Sequence, residues 1–173
     1  MIRMVYGYTL QNYEKDQMAR AVGMMLPVSF KQSVEVCNFL RNMELQKAKK
    51  FLKEVTHKKR AIPYKRFVKG IAHKKNMSAG RYPIKTCTHI LGLLESVEAN
   101  AQFKGLSTAN LVLSHIVAQN AGNHMHYGRQ RGTKMKRTHI EVVVSEKKAE
   151  ARKATKEIKN AANNVSNNKV EAK

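Results

Sequence analysis

The chain has 173 residues, 33 Lys+Arg against 12 Asp+Glu, a formal net charge of +21 and two cysteines. That length suits one domain with tails, and so lopsided a charge argues for a polyanionic partner, nucleic acid ahead of an anionic membrane surface. No apolar run approaches the roughly 20 residues of a spanning helix, no amphipathic or lipidated anchor is recognisable, and MIRMVYGYTLQNYEKD does not read as a secretory leader, so no membrane span is expected.

Residues 1–27 are mixed in pattern. MVYGYTL (4–10) suggests a short strand and MMLPV (24–28) a connecting turn. From Ser29 the pattern turns helical: Val34, Cys37, Leu40 and Met43 recur at a three-residue step and predict a short helix over 31–42. Leu45, Ala48, Leu52 and Val55 then share one face, with Lys47, Lys50, Lys53 and Lys58 on the others, which predicts a second helix over 44–59. Residues 60–82, RAIPYKRFVKGIAHKKNMSAGRY, contain no acid and sustain neither helical nor strand periodicity. They predict an extended loop, of a length that usually serves a function or is ordered by a partner.

Pro83 opens the clearest helix, predicted over 83–104. Ile84, Cys87, Leu91, Leu94 and Ala101 form one stripe, and Ile90, Leu93 and Val97 widen it. Gly105 followed by Leu106 is the expected stop: glycine accepts a left-handed backbone and the next apolar residue folds back on the last turn. Cys37 and Cys87 both fall in helical patterns and read as small buried hydrophobes. LVLSHIVAQ (111–119) and THIEVVVSE (138–146) read as strands. In the second, Ile140, Val142 and Val144 are placed toward the core, with His139, Glu141 and Ser145 pointing away. The residues between, 120–137, are too many for a tight turn and fit a long hairpin whose tip projects. The last stretch is rich in Lys, Ala, Asn and Glu without a broad apolar face. The resulting plan is an N-terminal extension (1–27), a globular domain (28–147) that includes a hairpin over 111–146, and a charged tail (148–173).

Between Glu54 and Glu141 the only acids are Glu95 and Glu98, both on the predicted central helix. The same span carries Lys58, Lys59, Arg60, Lys65, Arg66, Lys69, Lys74, Lys75, Arg81, Lys85, Arg129, Arg131, Lys134, Lys136 and Arg137, clustered in the loop and the hairpin. Such runs are often only a solvated face, but acid depletion around them favours phosphate contact, with counterion release on binding. Tyr64, Phe67, Tyr82 and Tyr127 sit among these charges, either to stack on unpaired bases or to pin the loop to the core. Pinning is the expectation for Phe67 and Tyr82. No helix-turn-helix, zinc-finger spacing or heptad repeat is present. Irregular basic loops suit structured RNA, which is recognised largely by shape and backbone.

His124 and His126 lie near His115 and His139, yet no cysteine or carboxylate adjoins them in sequence to complete a metal's three or four ligands. Glu95 and Glu98 read as a salt-linked helix face, and no glycine loop has phosphate-cradling spacing. No metal, cofactor or enzymatic role is expected.

Several stretches carry a family resemblance. AGRYPIKTCTHILGLLESVEANAQFKGL (79–106) and KRTHIEVVVSEK (136–147) resemble the central helix and closing hairpin strand of the universal ribosomal large-subunit protein twenty-two family. VSFKQSVEVCNFLRNM (28–43) and AKKFLKEV (48–55) resemble its first two helices, and IPYKRFVKGIAHK (62–74) its connecting loop. The wording is closer to archaeal and eukaryotic members than to bacterial ones. It departs in lacking a tryptophan before AGRYP, where Asn76, Met77 and Ser78 stand, in a somewhat shorter hairpin, and in an unmatched tail.

The resemblance implies an α+β fold, with three helices packed on a small three-stranded antiparallel sheet and a long protruding β-hairpin. It implies a structural constituent of the cytoplasmic large ribosomal subunit that binds large-subunit rRNA, supports assembly and lines the nascent-peptide exit tunnel. Neighbouring large-subunit proteins and the nascent polypeptide are the implied partners, and no homo-oligomer is expected. His73 joins Lys65, Arg66, Lys74, Lys75 and Arg81 in the RNA-facing loop. Asn123, His124, Met125, His126, Tyr127, Gly128, Arg129 and Gln130 become the hairpin tip. The alternative is a free-standing RNA-binding regulator or RNA chaperone.

Overall fold

The computed structural model of the chain describes residues 6–147, so the expected tail lies outside the described residues. In chain order the elements are β1 (Met18–Leu26), α1 (Phe30–Leu40), α2 (Leu45–Thr56), β2 (Ile62–Pro63), β3 (Gly80–Arg81), α3 (Ile84–Phe103), β4 (Leu111–Asn120) and β5 (Thr138–Glu146). The class is α+β. One antiparallel sheet runs β1-β5-β4, and β2 pairs with β3 in a separate two-stranded ladder.

The helices form where their apolar spacing predicts, because each must turn one face inward. On α3, Cys87, Ile90, Leu94, Val97 and Ala101 follow one another at steps of three and four, and all are fully buried. Ile84 and Leu91 lie at the half-buried margin of that face rather than at its centre. The helix packs on β1 and β5 on one side and on α2 on the other. Pro83 caps it from just outside, its carbonyl accepting the Cys87 N–H at 3.0 Å. At the far end Gly105 takes φ +76°. Its N–H donates to the Gln102 carbonyl at 2.9 Å and the Leu106 N–H to that of Ala101 at 3.0 Å, which satisfies the last open carbonyls of the helix.

The link between α1 and α2 is tied to the sheet. The Asn42 N–H donates to the Leu113 carbonyl at 2.9 Å, and the Leu113 N–H donates to that of Met43 at 3.0 Å. Thus the open edge of β4 is partly covered, which is how an exposed ladder is kept from pairing with another chain. Cys37 and Cys87 are buried and unlinked, and burial pushes each thiol up to about 12.

Two features differ from the sequence expectation. The strand described in the N-terminal segment is Met18–Leu26, which takes in part of the stretch expected as a turn; of the stretch expected as a strand, residues 6–10 form none and residues 4 and 5 lie outside the described residues. MARAVGMML has no clear alternation, since a glycine, alanines and methionines blur the two faces, so the pairing with β5 decides it. The second difference is Glu141. It points away from the helices as expected, but it is fully buried, because residues 6–9 fold over that face of the sheet. The Tyr6 hydroxyl donates to Oε1 at 2.8 Å and Gln119 Nε2 to the same oxygen at 2.7 Å. The Thr9 hydroxyl and N–H donate to Oε2 at 2.6 and 3.0 Å, and His115 Nε2 lies 3.8 Å from that oxygen. Nearby, Arg20 stacks between the rings of Tyr8 and Tyr13 at 4.4 Å from each.

Burial alone would raise the Glu141 pKa. The Thr9 and Tyr6 hydrogen bonds and the field of His115 outweigh it and hold the carboxyl below its ordinary range. A group with a depressed folded pKa contributes stability above the unfolded value, and that stability is lost as pH falls through the folded one. Glu141→Gln is therefore expected to lower stability at neutral pH by about 1–3 kcal/mol and to flatten the loss below about pH 4.5. Thermal unfolding from pH 7 to 3 measures both, and an unchanged acid limb in the variant would refute the assignment.

Candidate nucleic-acid interface

The predicted extended loop is extended but not structureless. Its base is clamped where Ile62 pairs with Arg81 and Pro63 with Gly80, and the Tyr64 N–H donates to the Ala79 carbonyl at 2.9 Å. Ile62, Tyr64 and Ala79 are buried in the core. The side chains of Met77 and Lys74 crowd Gly80: a Cβ there would meet Met77 Sδ at 2.6 Å and Lys74 Cγ at 3.1 Å, so both would have to shift. Lys74 and Met77 bridge a turn whose Asn76 has φ +63°.

The nearer arm of the loop is held by a residue the charge reading passed over. Glu35 of α1 is 2% exposed. Its Oε1 accepts the N–H groups of Arg66 and Phe67 at 2.8 and 2.7 Å, and its Oε2 accepts that of Lys65 at 3.1 Å. The Phe67 ring lies between Lys31 and Arg66, with cation-to-centroid distances of 5.7 and 5.5 Å. Such a contact was invisible in sequence because it joins residues thirty apart across a fold boundary.

The aromatics divide accordingly. Tyr64 is 4% exposed, and burial pushes its hydroxyl up to about 12, so this ring belongs to the core and does not offer a stacking face. Phe67 and Tyr82 are half-buried, the latter under the Lys74 ammonium at 5.5 Å. Tyr127 is 86% exposed and keeps its face open.

Of the sequence-predicted basic residues, all are exposed except Arg137, which is half-buried. The fold gathers most of them in three grooves, two of which share Lys136. Arg66, Lys69 and Arg81 from the loop meet Lys136 from the hairpin and Lys31 from α1 in one groove. Lys85, Lys134, Lys136, Arg137 and His126 line the next. Lys59, Arg60, Lys74 and Lys75 line a third with Tyr82. No acidic residue lines any of the three. Lys58, Lys65, His73, Arg129 and Arg131 are exposed outside these grooves. Lys31 was missed because it sits alone in a helical stretch. Only folding sets it beside the loop.

The helix ends add to this field. The first turns of α1 and α3 contain no acid; they carry Lys31 and Lys85 instead. A helix N-terminus is already partially positive, so lysine there is unfavourable in the free protein and is balanced when an anion sits opposite. Internal ion pairs lie mostly elsewhere, although Arg60 of the third groove does reach Glu54 Oε2 at 3.4 Å. Glu98 accepts from Lys49 and from Gln46 Nε2, while Glu44 pairs with Lys47 at 3.0 Å.

Beyond β4 and β5 the hairpin continues as a loose ladder. The Ala121 N–H donates to the Arg137 carbonyl, Met135 to His124 and His126 to Thr133, at 3.2, 2.7 and 3.0 Å. The chain reverses over 127–132, through Gly128 at φ +68° and a single 3₁₀ turn, Gly128–Gln130. Asn123, His124 and Met125 therefore stand on the arm before the turn, and Tyr127, Gly128, Arg129 and Gln130 on the turn itself. All seven are exposed, while His126 is half-buried against the second groove. Of the other histidines, His115 faces Glu141, and His139 Nδ1 accepts the Met25 N–H at 3.2 Å. Among the described residues no three His, Cys, Asp or Glu side chains converge as metal ligands. No helix among them is long and apolar enough to cross a membrane.

Comparison with known proteins gives this arrangement a context. Residues 21–145 match the family described as ribosomal protein L22p/L17e. The chain is 42% identical over 122 residues to the large ribosomal subunit protein uL22 of Archaeoglobus fulgidus, covering 69% of this chain and 77% of that protein. It is 40% identical over 155 residues to the protein of the same name from Methanoculleus marisnigri (84% and 99%), and 38% over 148 residues to that from Methanosphaera stadtmanae (80% and 96%).

Proposed function

This chain belongs to the ribosomal protein L22p/L17e family, and from that premise we propose that it is a structural constituent of the cytoplasmic large ribosomal subunit that binds large-subunit rRNA through its acid-free basic face. The observation that carries the RNA contact is the convergence of loop, hairpin and helix-end cations on grooves without a carboxylate. Lys58, Lys59, Arg60, Lys65, Arg66, Lys69, His73, Lys74, Lys75, Arg81, Lys85, Lys134, Lys136 and Arg137 are the proposed rRNA contacts, with Arg129 and Arg131 on the projecting turn. Neighbouring large-subunit proteins are its further partners. The hairpin tip, 123–130, is proposed to face the nascent polypeptide in the exit tunnel. In support, its residues are nearly all exposed, Tyr127 and Met125 among them. No catalytic role is assigned.

Sucrose-gradient sedimentation tests this reading. The tagged protein is expected in the large-subunit and whole-ribosome fractions, and to stay there after a high-salt wash. Recovery only at the top of the gradient would favour a free-standing RNA-binding regulator or chaperone instead. In the same particles, a photo-cross-linker at Tyr127 is expected to capture a stalled nascent chain, and one at Lys47 is not.

A further inference from the structure

We propose that Glu35, an acid beneath a basic surface, is a positioning residue for rRNA binding: its carboxylate fixes the backbone from which Lys65 and Arg66 reach the RNA. The inference rests on the reading of the protein as an rRNA binder and adds to it a residue of the opposite charge.

Three successive N–H groups, those of Lys65, Arg66 and Phe67, converge on the two Glu35 oxygens at 3.1, 2.8 and 2.7 Å. Successive amides turned to one side form an anion-binding nest, and buried amides must find an acceptor. In this loop the anion is supplied from within the protein. Because the amides point inward to α1, the two cationic side chains on the same residues are free to point outward, and both are exposed. Lys31, one turn earlier on α1, adds a second grip through the Phe67 ring at 5.7 Å. The loop therefore meets its partner already ordered. Ordering a loop on binding subtracts from affinity, and pre-organisation removes that cost.

Charge and position predict opposite signs here. By charge alone, Glu35→Ala takes the protein from +21 to +22 and should tighten binding to a polyanion. By position, it releases Lys65 and Arg66 and should weaken binding. The test uses the full chain and large-subunit rRNA transcribed in vitro, with affinity measured by filter binding across a salt series. Glu35→Ala is expected to weaken binding about tenfold and to lower the salt slope by about 1.4–1.8, the value of two phosphate contacts. Glu35→Gln, which keeps one accepting oxygen, is expected to fall between. In a Lys65→Ala, Arg66→Ala background, Glu35→Ala should change affinity no further. Unchanged or tighter binding, a loss with unaltered slope, full additivity with the loop pair, or failure of both Glu35 variants to fold would each overturn the proposal. If the unaltered protein does not bind the rRNA, it is the underlying reading that fails.

Discussion

Leu94→Ala is expected to lower the unfolding free energy by about 2–5 kcal/mol. Leu94 is fully buried at the centre of the helix face that packs on the sheet and α2. Removing its branched end loses the transfer energy of the methyl groups and leaves a cavity that neighbouring rigid elements cannot close. Leu91, on the margin of the same face, is half-buried and should cost clearly less. Urea unfolding of the two variants decides the matter: a Leu91→Ala effect equal to that of Leu94→Ala would mean the helix is rotated from its described position. For a chain of this length each kcal/mol lowers the thermal midpoint by about 2–4 °C.

The second large effect is on binding. Replacing Lys31, Arg66, Lys69, Arg81 and Lys136 together by glutamine is expected to reduce the slope of log affinity against log salt by about 3.5–4.5, if each contacts one phosphate. These five line one groove contributed by α1, the loop and the hairpin. Stability should change little, because all five are exposed and the fall in net charge from +21 to +16 offsets the lost Lys31 and Arg66 contacts to the Phe67 ring. Lys47, Lys50 and Lys53, exposed on α2, serve as the control. If neutralising those three weakens rRNA binding as much per charge, the groove holds no privileged position and only the total charge matters.

The helices and the hairpin were legible because their signals are local. The spacing of Cys87, Ile90, Leu94 and Val97 and the Gly105-Leu106 stop need no distant partner, and the helix ends fall within about a turn of their predicted places. The basic clusters were legible for the same reason, since acid depletion is a property of the linear chain. What escaped depends on pairs far apart. Glu141 reads as solvated from strand alternation, and only residues 6–9, more than 130 positions away, bury it. Glu35 looks like any helix-surface acid until the loop folds onto it. Tyr64 looks like a stacking ring until β2 pairs with β3 and draws it inward. β1 lacked a local signature altogether and is defined by the strand it joins.

The sheet order has a temporal consequence. β5 is the last strand among the described residues, yet it lies in the middle, pairing Met18 with Ser145 on one side and Leu111 with Glu146 on the other. During synthesis β1 and β4 must wait, each an open edge with no mate, while the helices between them gather. The final strand then enters between two edges already present and joins them in one step. Loop-closure entropy makes that step slow relative to helix formation. A chain cut before Thr138 thus lacks both ladders at once, so nearly the whole domain must emerge before its sheet can exist.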